Sequence, residues 1–421
     1  MKRRIHSRLI ERFDLKRLDL KTMNDPLKAR QLKDRAERVA LELITEEGGF
    51  VTGTENRARM VKEIVDEALG LGPLEDLLAD ETVSDILANG KDQLYVERRG
   101  KLHLTDKKFF SNEQLLTIIE RIIAPLGRRI DESNPMVDAR LPDGSRVNAI
   151  IPPLSLRGPI LSIRKFGRTR YAMADLLGMA AIDQRMVNFL QVSVKARKNM
   201  IVSGGTGSGK TTMLNLLSSF IPDEERIVTI EDAAELRLDQ EHWVPLESRP
   251  PNVEGRGLVS MRHLFRNTLR MRPDRIIIGE CRGDETLDML QAMNTGHDGS
   301  LTTIHANSPQ DVISRLDSLV LMSNVDLPVR AVREQIASAI DLIVHTARMS
   351  DGSRKVTHIS EVRGMDHEGN IKLADLFIFK QSGIGQNGEI VGKFTPTGQL
   401  PSFLDELTAK GLLLEEGIFR P

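Results

Sequence analysis

The chain has 421 residues, 59 of them basic and 60 acidic, a length that corresponds to two or three domains of ordinary size. Hydrophobic residues make up 40% and charged residues 28%, which is globular composition and excludes a disordered or fibrous chain. A single cysteine, Cys281, excludes a disulfide framework and a zinc site built on paired cysteines, and indicates a reducing compartment such as the cytosol.

Residues 1–72 are predicted to form a charged helical region. Apolar side chains recur at helical spacing along residues 55–69, and Gly70, Gly72 and Pro73 are expected to end that helix. No run of 18 apolar residues occurs, and the chain begins with mixed charge rather than an apolar signal core. We therefore expect a cytosolic chain that neither spans a membrane nor is exported.

Residues 74–166 are predicted to form a small α/β domain. Two segments of alternating polarity, residues 93–97 and 101–105, predict a β-hairpin. Ser111 and Gln114 then have the spacing of a capping box, which predicts the start of an apolar helix.

Residues 167–170 are polar and are predicted to be a linker, and residues 171–421 to form a second α/β domain. Short apolar runs that alternate with helical segments are typical of a largely parallel sheet covered on both faces. The runs are residues 200–203, 227–230, 276–278, 301–304 and 342–344. From about residue 355 the pattern predicts one more strand, Lys355 to Val362, then a glycine-rich loop and a short helix.

Directly after the first apolar run, the sequence has the spacing G-x-x-x-x-G-K-T between a strand and a helix. Such a loop turns backbone N–H groups toward phosphate oxygens, and the helix N-terminus adds positive potential. The sequence therefore predicts a nucleotide-binding loop made of Gly204, Gly205, Thr206, Gly207, Ser208, Gly209, Lys210, Thr211 and Thr212.

Hydrolysis needs more than this loop. Lys210 is expected to reach the β- and γ-phosphates, and the Thr211 hydroxyl to ligate Mg²⁺. Glu231 and Glu280 each follow an apolar run, so both should face the crevice beside the loop. We assign Glu280 to Mg²⁺ or its water shell and Glu231 to the attacking water, although the two roles could be exchanged, and either carboxylate could instead cap a helix.

Histidines and arginines complete the candidate site. His305 ends another apolar run and, with His297, is a candidate for sensing the γ-phosphate; a structural role is equally compatible with the pattern. Phosphoryl transfer also uses positive charge delivered by arginine. The small domain offers Arg140, Arg146, Arg157 and Arg164.

Four segments in the second domain resemble, in order, the Walker A, Asp, Walker B and His boxes of the type II and type IV secretion ATPases. They are residues 203–212, 226–236, 271–280 and 291–307. Within that group they are most similar to the tight-adherence (Tad/Flp) pilus assembly ATPases, the TadA/CpaF branch. Residues 137–148 and 163–166 resemble the N-terminal half of the same proteins, so the likeness spans roughly residues 74–365.

The resemblance implies a RecA-like motor domain after a PAS-like domain, in a homo-hexamer that binds ATP and Mg²⁺ between the two domains. It assigns Lys210 and Thr211 to the phosphates and metal, Glu231 to catalysis and Glu280 to Walker B. His297 and His305 fall in the His box, and Arg140, Arg146 and Arg164 match positions that reach the γ-phosphate. It further implies a location at the cytoplasmic face of a bacterial inner membrane, through platform proteins of a pilus machine.

Three alternatives remain open. One is a type IV secretion or conjugation ATPase that moves DNA or effector protein. Another is a nucleotide-gated scaffold that hydrolyses ATP only weakly. The third is a helicase or recombinase, which a net charge of −1 and an aromatic content of 4% disfavour, because single strands are held on basic and aromatic surfaces. We therefore expect no direct nucleic-acid partner.

Overall fold

The computed structural model describes residues 2–13, 26–46, 54–98, 100–166, 171–252, 254–323, 325 and 327–421. The chain forms two compact units, Met1–Thr169 and Arg170–Pro421, here called the first and second units. The predicted linker, residues 167–170, lies outside the described residues. No helix in the described ranges has both the length and the apolar character that a membrane crossing requires.

Among the described residues at its start, the first unit has three helices, which pack against one another through an apolar stripe. These are α1 (Lys2–Phe13), α2 (Pro26–Glu46) and α3 (Thr54–Leu69). Ile5, Leu43 and Ile64 are fully buried where the three stripes meet, as their helical spacing requires. The predicted helix over residues 55–69 is confirmed by α3.

A six-stranded sheet completes the first unit. Its elements are α4 (Leu74–Ala79), β1 (Val83–Asn89), β2 (Gln93–Arg98), β3 (Lys101–Leu104), α5 (Asn112–Ile123), β4 (Met136–Arg140), β5 (Arg146–Ile150) and β6 (Ile160–Arg164). The strand order is β3-β2-β1-β6-β5-β4, with antiparallel neighbours. The predicted hairpin is β2–β3. The Ser111 hydroxyl accepts a hydrogen bond from the Gln114 backbone N–H at 3.2 Å, as predicted, whereas the Gln114 side chain bonds the Phe110 N–H.

The second unit alternates helices and strands. Its elements are α6 (Met173–Gly178), α7 (Gln184–Lys195), β7 (Met200–Gly204), α8 (Lys210–Ser218), β8 (Ile227–Glu231), β9 (Trp243–Glu247), α9 (Met261–Thr268), β10 (Arg275–Ile278), α10 (Glu285–Met293), β11 (Leu301–His305), α11 (Pro309–Leu321), α12 (Val329–Ala339), β12 (Leu342–Arg348), β13 (Arg354–Met365), β14 (Ile371–Ile384), β15 (Ile390–Pro396) and α13 (Leu404–Ala409).

The second unit is built on a nine-stranded sheet with the order β15-β14-β13-β12-β7-β11-β10-β8-β9. The six strands from β12 to β9 are parallel, which confirms all five predicted runs. Apolar cores cover both faces: Met200 and Val202 of β7 point into one core, and Ile201 points into the other. The loop that follows β7 therefore leaves the middle of the sheet, on the edge where parallel strands end.

Two parts of this sheet differ from the prediction. The strand from Lys355 is confirmed by β13, but the glycine-rich loop predicted after it is wrong, because residues 371–396 form the long hairpin β14–β15. The glycines of this hairpin lie near its tip, where they interrupt the alternation of polar and apolar residues that predicts a strand. The strand β9 was not predicted because it contains Pro245, a residue that sheets accept at their edges, and β9 is an edge strand.

Candidate active site

The predicted nucleotide-binding loop connects β7 to α8 and has the backbone conformation that its glycines permit. Gly207 and Gly209 have φ values of 70° and 97°, in the left-handed region that residues with a Cβ rarely adopt. A Cβ at Gly204 would overlap the Thr346 carbonyl and the Ser208 hydroxyl. The loop thus requires glycine both for its turns and for its close approach to β12.

Lys210 lies at the start of α8 and turns back over the loop. Its Nζ donates a hydrogen bond to the Gly205 carbonyl at 2.9 Å and lies 3.5 Å from His305 Nδ1. Burial lowers the pKa of Lys210, and the nearby Glu280 and Glu235 carboxylates oppose that shift. The Lys210 ammonium is thus held inside the loop by a backbone carbonyl, and its role toward phosphate oxygens stays a prediction.

Glu280 and His305 meet beside Lys210. Glu280 follows β10. The next residue, Cys281, donates its N–H to the Thr303 carbonyl at 2.9 Å, which continues the pairing of β10 with β11. His305 ends β11, and its Nε2 lies 3.1 Å from Glu280 Oε1. Burial, followed by the charge of Lys210, lowers the pKa of His305, so the ring is neutral at pH 7. A neutral ring that donates from Nε2 leaves Nδ1 as an acceptor facing the Lys210 ammonium.

Glu231 and Glu235 occupy different places in the site. Glu231 ends β8 and is 3% exposed; its Oε1 accepts hydrogen bonds from the backbone N–H groups of Glu235 at 2.8 Å and Leu236 at 3.1 Å. Glu235 is more open, and its Oε2 lies 3.4 Å from the Thr211 hydroxyl. Glu231 therefore fixes the segment that carries Glu235, and Glu235 is the carboxylate of this pair that faces the loop through Thr211.

Glu235 was not among the residues predicted from the sequence. It lies within the segment that resembles an Asp box, four residues after Glu231, but no strand or helix period extends across residues 232–236 to indicate its direction. The box contains three carboxylates, Glu231, Asp232 and Glu235, and the presence of more than one was the available signal.

His297 lies away from this cluster. It precedes β11, whereas His305 ends the same strand, so the two histidines are at opposite ends of β11. The His297 N–H donates to the Ala292 carbonyl at 3.1 Å, and its carbonyl accepts from the Ser300 hydroxyl at 2.9 Å. The structure thus brings His305, but not His297, to the nucleotide-binding loop of the same chain, and the sensing role of His297 stays a prediction.

The three arginines that the resemblance selects lie in one row of the first unit. Arg140 is the cross-strand partner of Arg146, and Arg146 is the partner of Arg164. They occupy the face of the sheet opposite the buried side chains of β5 and β6, and Arg164 Nε lies 3.2 Å from Asp85. Like charges directly opposite one another destabilise a sheet, and an anion over the row would relieve that repulsion. Arg157 lies outside these three strands, in the connection before β6.

The second unit offers the groups that ATP and Mg²⁺ require. The Gly205 carbonyl accepts hydrogen bonds from both Lys210 Nζ and the Ser208 N–H, at 2.9 and 3.3 Å, so two donors already converge inside the loop. Both would be available to phosphate oxygens in place of that carbonyl. The hydroxyl of Thr211 and the carboxylates of Glu235 and Glu280 supply the hard oxygen atoms that Mg²⁺ prefers.

Comparisons with known proteins identify the family. The family described as Type II/IV secretion system protein matches residues 67–378. The chain is 37% identical, over 303 residues, to a Mycobacterium tuberculosis protein whose name assigns it to conjugal transfer; the match covers 70% of this chain and 86% of that protein. It is 34% identical over 313 residues to the type IV secretion system protein PtlH of Bordetella pertussis, which covers 68% of this chain and 91% of PtlH.

The solved structures identify the fold. The X-ray structure of the Legionella pneumophila ATPase DotB is similar with a TM-score of 0.50 at 21% identity, over 70% of this chain and 80% of DotB. The DotB structure from Yersinia pseudotuberculosis has a TM-score of 0.51 at 18% identity, over 72% of this chain and 80% of that protein. The chain therefore belongs to the type II/IV secretion system protein family, and it has the RecA-like fold seen in the DotB structures.

Proposed function

We propose that this protein is an ATPase, and that it works as a homo-hexamer that powers assembly of a tight-adherence (Tad/Flp) type IV pilus, with retraction as a further activity of the same motor. The observation that carries the proposal is the convergence of Lys210, His305 and Glu280 beside the glycine loop, at 3.5 and 3.1 Å from one residue to the next. The amino-acid sequences of the four boxes and the helical region before the first sheet favour the pilus branch.

In this proposal the second unit binds ATP through residues 204–212. Lys210 releases the Gly205 carbonyl and donates to the β- and γ-phosphates, and Thr211 and Glu280 hold Mg²⁺ or its water shell. The metal, when bound, neutralises charge that develops on the phosphate oxygens. His305 reports the state of the γ-phosphate to Glu280 through their hydrogen bond.

We assign the attacking water to Glu235 rather than to Glu231, to which the sequence assigned it. Glu231 is 3% exposed and both of its carboxylate oxygens accept backbone N–H groups, Oε1 from Glu235 and Leu236 and Oε2 from Leu236 at 3.4 Å, so this carboxylate is held against the backbone rather than presented to water. Glu235 keeps its carboxylate near the Thr211 hydroxyl, where it can orient water or take its proton. Glu231 is then a positioning residue for Glu235.

The arginine row supplies the remaining charge. Arg140, Arg146 and Arg164 neutralise negative charge on the transferring phosphoryl group, the part of the reaction that an arginine finger accelerates. Successive hydrolysis and product release around a ring of subunits move an inner-membrane platform protein. The motor is thereby placed at the cytoplasmic face of the membrane through its partners, without direct contact to nucleic acid.

A second candidate function is transport of DNA or effector protein by a type IV secretion system. The names of the relatives favour it, since one is assigned to conjugal transfer and another to type IV secretion. The catalytic chemistry is the same in both cases, so the two candidates differ in the partner that the motor drives.

Deletion of the gene and complementation with plasmid copies distinguish these functions. We expect the deletion to abolish surface filaments while DNA transfer and effector secretion stay normal; wild type should restore the filaments, and Lys210→Ala should not. Normal filaments with defective transfer would instead assign the chain to secretion. Phosphate release by the purified protein no faster than that of Glu280→Gln would favour the weakly hydrolysing scaffold.

A further inference from the structure

The hairpin β12–β13 contacts the nucleotide-binding loop from the side opposite β11. β12 is parallel to β7, and three of its contacts reach the strand end and the loop. His345 Nδ1 lies 2.9 Å from the Ser203 hydroxyl, and the Thr346 hydroxyl lies 3.0 Å from the Ser203 carbonyl and 2.9 Å from the Ser208 hydroxyl. The loop is therefore held through its side chains by a strand outside the four sequence boxes.

Arg354, the first residue of β13, holds the loop through its backbone. Its Nε donates a hydrogen bond to the Gly207 carbonyl at 2.9 Å, and its side chain passes over Gly209. The peptide bond between Gly207 and Ser208 is planar and trans, so its carbonyl and its N–H point in opposite directions. Because the carbonyl is held outward by Arg354, the Ser208 N–H points into the loop, where it donates to the Gly205 carbonyl at 3.3 Å.

The hairpin turn that carries Arg354 is itself fixed. The Asp351 carboxylate accepts hydrogen bonds from the Ser353 N–H at 2.8 Å, from the Ser353 hydroxyl at 2.7 Å and from the Ile390 N–H of β15 at 2.7 Å. Arg354 thus projects from a turn tied to the outer strand of the sheet. A glycine with φ of 70° such as Gly207 has many accessible conformations, and an external donor of this kind selects one of them.

We propose that Arg354 is a positioning residue for ATP binding, which holds the Gly207–Ser208 peptide so that the Ser208 N–H faces the nucleotide phosphates. The inference rests on ATP binding by the loop and is independent of what the motor drives. Arg354 acts through the backbone of the loop, whereas Lys210 acts on the phosphates directly. The β12–β13 hairpin thereby becomes part of the nucleotide site, and β15 is linked to it through Asp351.

Three substitutions of Arg354 distinguish the effect of its hydrogen bond to the Gly207 carbonyl from the effect of its positive charge near the phosphates. Arg354→Gln retains an N–H at the position of Nε but removes the charge. Arg354→Met retains the length of the side chain but removes both, and Arg354→Lys retains the charge but has no donor at that position. Arg330, an exposed arginine of α12 that pairs with Glu334, provides the control Arg330→Gln.

The dissociation constants of a fluorescent ATP analogue and of ADP should be measured by titration of the full chain, together with kcat, KM and the thermal midpoint without nucleotide. We expect Arg354→Met to weaken binding about fivefold, as the loss of one hydrogen bond predicts, with kcat within about twofold of wild type. Arg354→Gln should recover most of the affinity, and Arg330→Gln should bind as wild type.

Unchanged affinity in Arg354→Met would overturn the proposal. Wild-type affinity in Arg354→Lys together with weak binding in Arg354→Gln would also overturn it, because the charge rather than the orientation of the peptide would then be responsible. If Arg354→Met lowers the thermal midpoint, the comparison between Arg354→Gln and Arg354→Lys still decides. A failure of nucleotide binding in every protein, wild type included, would count against the site itself and not against Arg354.

Discussion

At the residue scale, one hydrogen bond gives different roles to two carboxylates that are four residues apart. Glu231 and Glu235 belong to the same box, yet Glu231 Oε1 accepts the Glu235 N–H at 2.8 Å and so becomes part of the scaffold for its neighbour. A buried acceptor with two backbone donors stabilises the segment, and its removal leaves N–H groups unpaired. The Glu235 carboxylate instead lies 3.4 Å from the Thr211 hydroxyl.

The residue-scale prediction compares the two isosteric amides. Glu235→Gln should lower kcat by about 100-fold or more, the usual contribution of a general base, with ATP affinity within about threefold of wild type. Glu231→Gln keeps a side-chain carbonyl for the backbone N–H groups and should retain turnover within about tenfold. Steady-state phosphate release and nucleotide titration of both variants check this, and the reverse ranking would return the catalytic role to Glu231.

The sequence predicted the positions at strand ends but not the directions of the side chains there. Glu280 and His305 each follow an apolar run, and their meeting at 3.1 Å confirms that these ends share one edge of the sheet. His297 precedes the apolar run that His305 ends. Because the two histidines are close in sequence, the sequence alone did not show that they lie at opposite ends of β11. Glu235 lies in an irregular segment, where no periodic pattern indicates which side chain turns toward the loop.

At the scale of elements, strand pairing makes neighbours of residues whose spacing in the sequence does not indicate that they lie close together. Arg146 is six residues from Arg140 and eighteen from Arg164, and only the pairing of β4, β5 and β6 makes them neighbours in one row. The hairpin β12–β13 likewise comes close to the glycine loop only through the parallel pairing of β12 with β7. Strand locations follow from apolar runs, whereas these juxtapositions depend on the folded sheet.

The arginine row gives the element-scale prediction. Arg146→Gln removes the central charge of the row, so turnover at saturating ATP should fall by about 100-fold or more while ATP affinity changes by less than about threefold. The thermal midpoint should stay close to that of wild type, because glutamine keeps a polar side chain at the same position of the strand. A purely structural arginine would give the opposite signature, a lower midpoint with turnover per folded molecule retained.

Arg129→Gln is the matched control for that experiment. Arg129 lies in the same unit, is largely exposed and pairs with Asp131 outside the row. Its variant should match wild type in turnover and midpoint. Equal turnover in wild type and Arg146→Gln would remove the row from the mechanism.

At the scale of the whole molecule, the two units are built on different sheets. The first unit carries the arginine row on an antiparallel sheet, and the second carries the glycine loop on a sheet buried on both faces. Burial on both faces places ionisable groups in the interior of the second unit, among them His345, which is 5% exposed and bonded to Ser203. The single tryptophan of the chain, Trp243, also lies in the second unit, on β9.

Acid should therefore weaken the second unit through His345. Burial, together with the neighbouring His358, lowers the pKa of His345 from 6.5 to about 4. Between these values the unfolded chain binds a proton that the folded unit does not, so stability is present above pH 6.5 and is lost as the pH falls toward 4. Lowering the pH from 7.5 to 5 should reduce the free energy of unfolding by about 2 kcal/mol through this residue alone.

Urea unfolding followed by Trp243 fluorescence at pH 7.5 and pH 5 measures this loss for the second unit. His345→Asn is the informative variant, because the asparagine amide can keep a hydrogen bond to the Ser203 hydroxyl at the position of Nδ1 without titrating. Wild type should lose about 2 kcal/mol more than His345→Asn over this interval. The histidines that do not neighbour His345 titrate equally in both proteins and cancel in the comparison, so an identical loss in the two would mean that His345 is already protonated, or already exposed, in the folded unit.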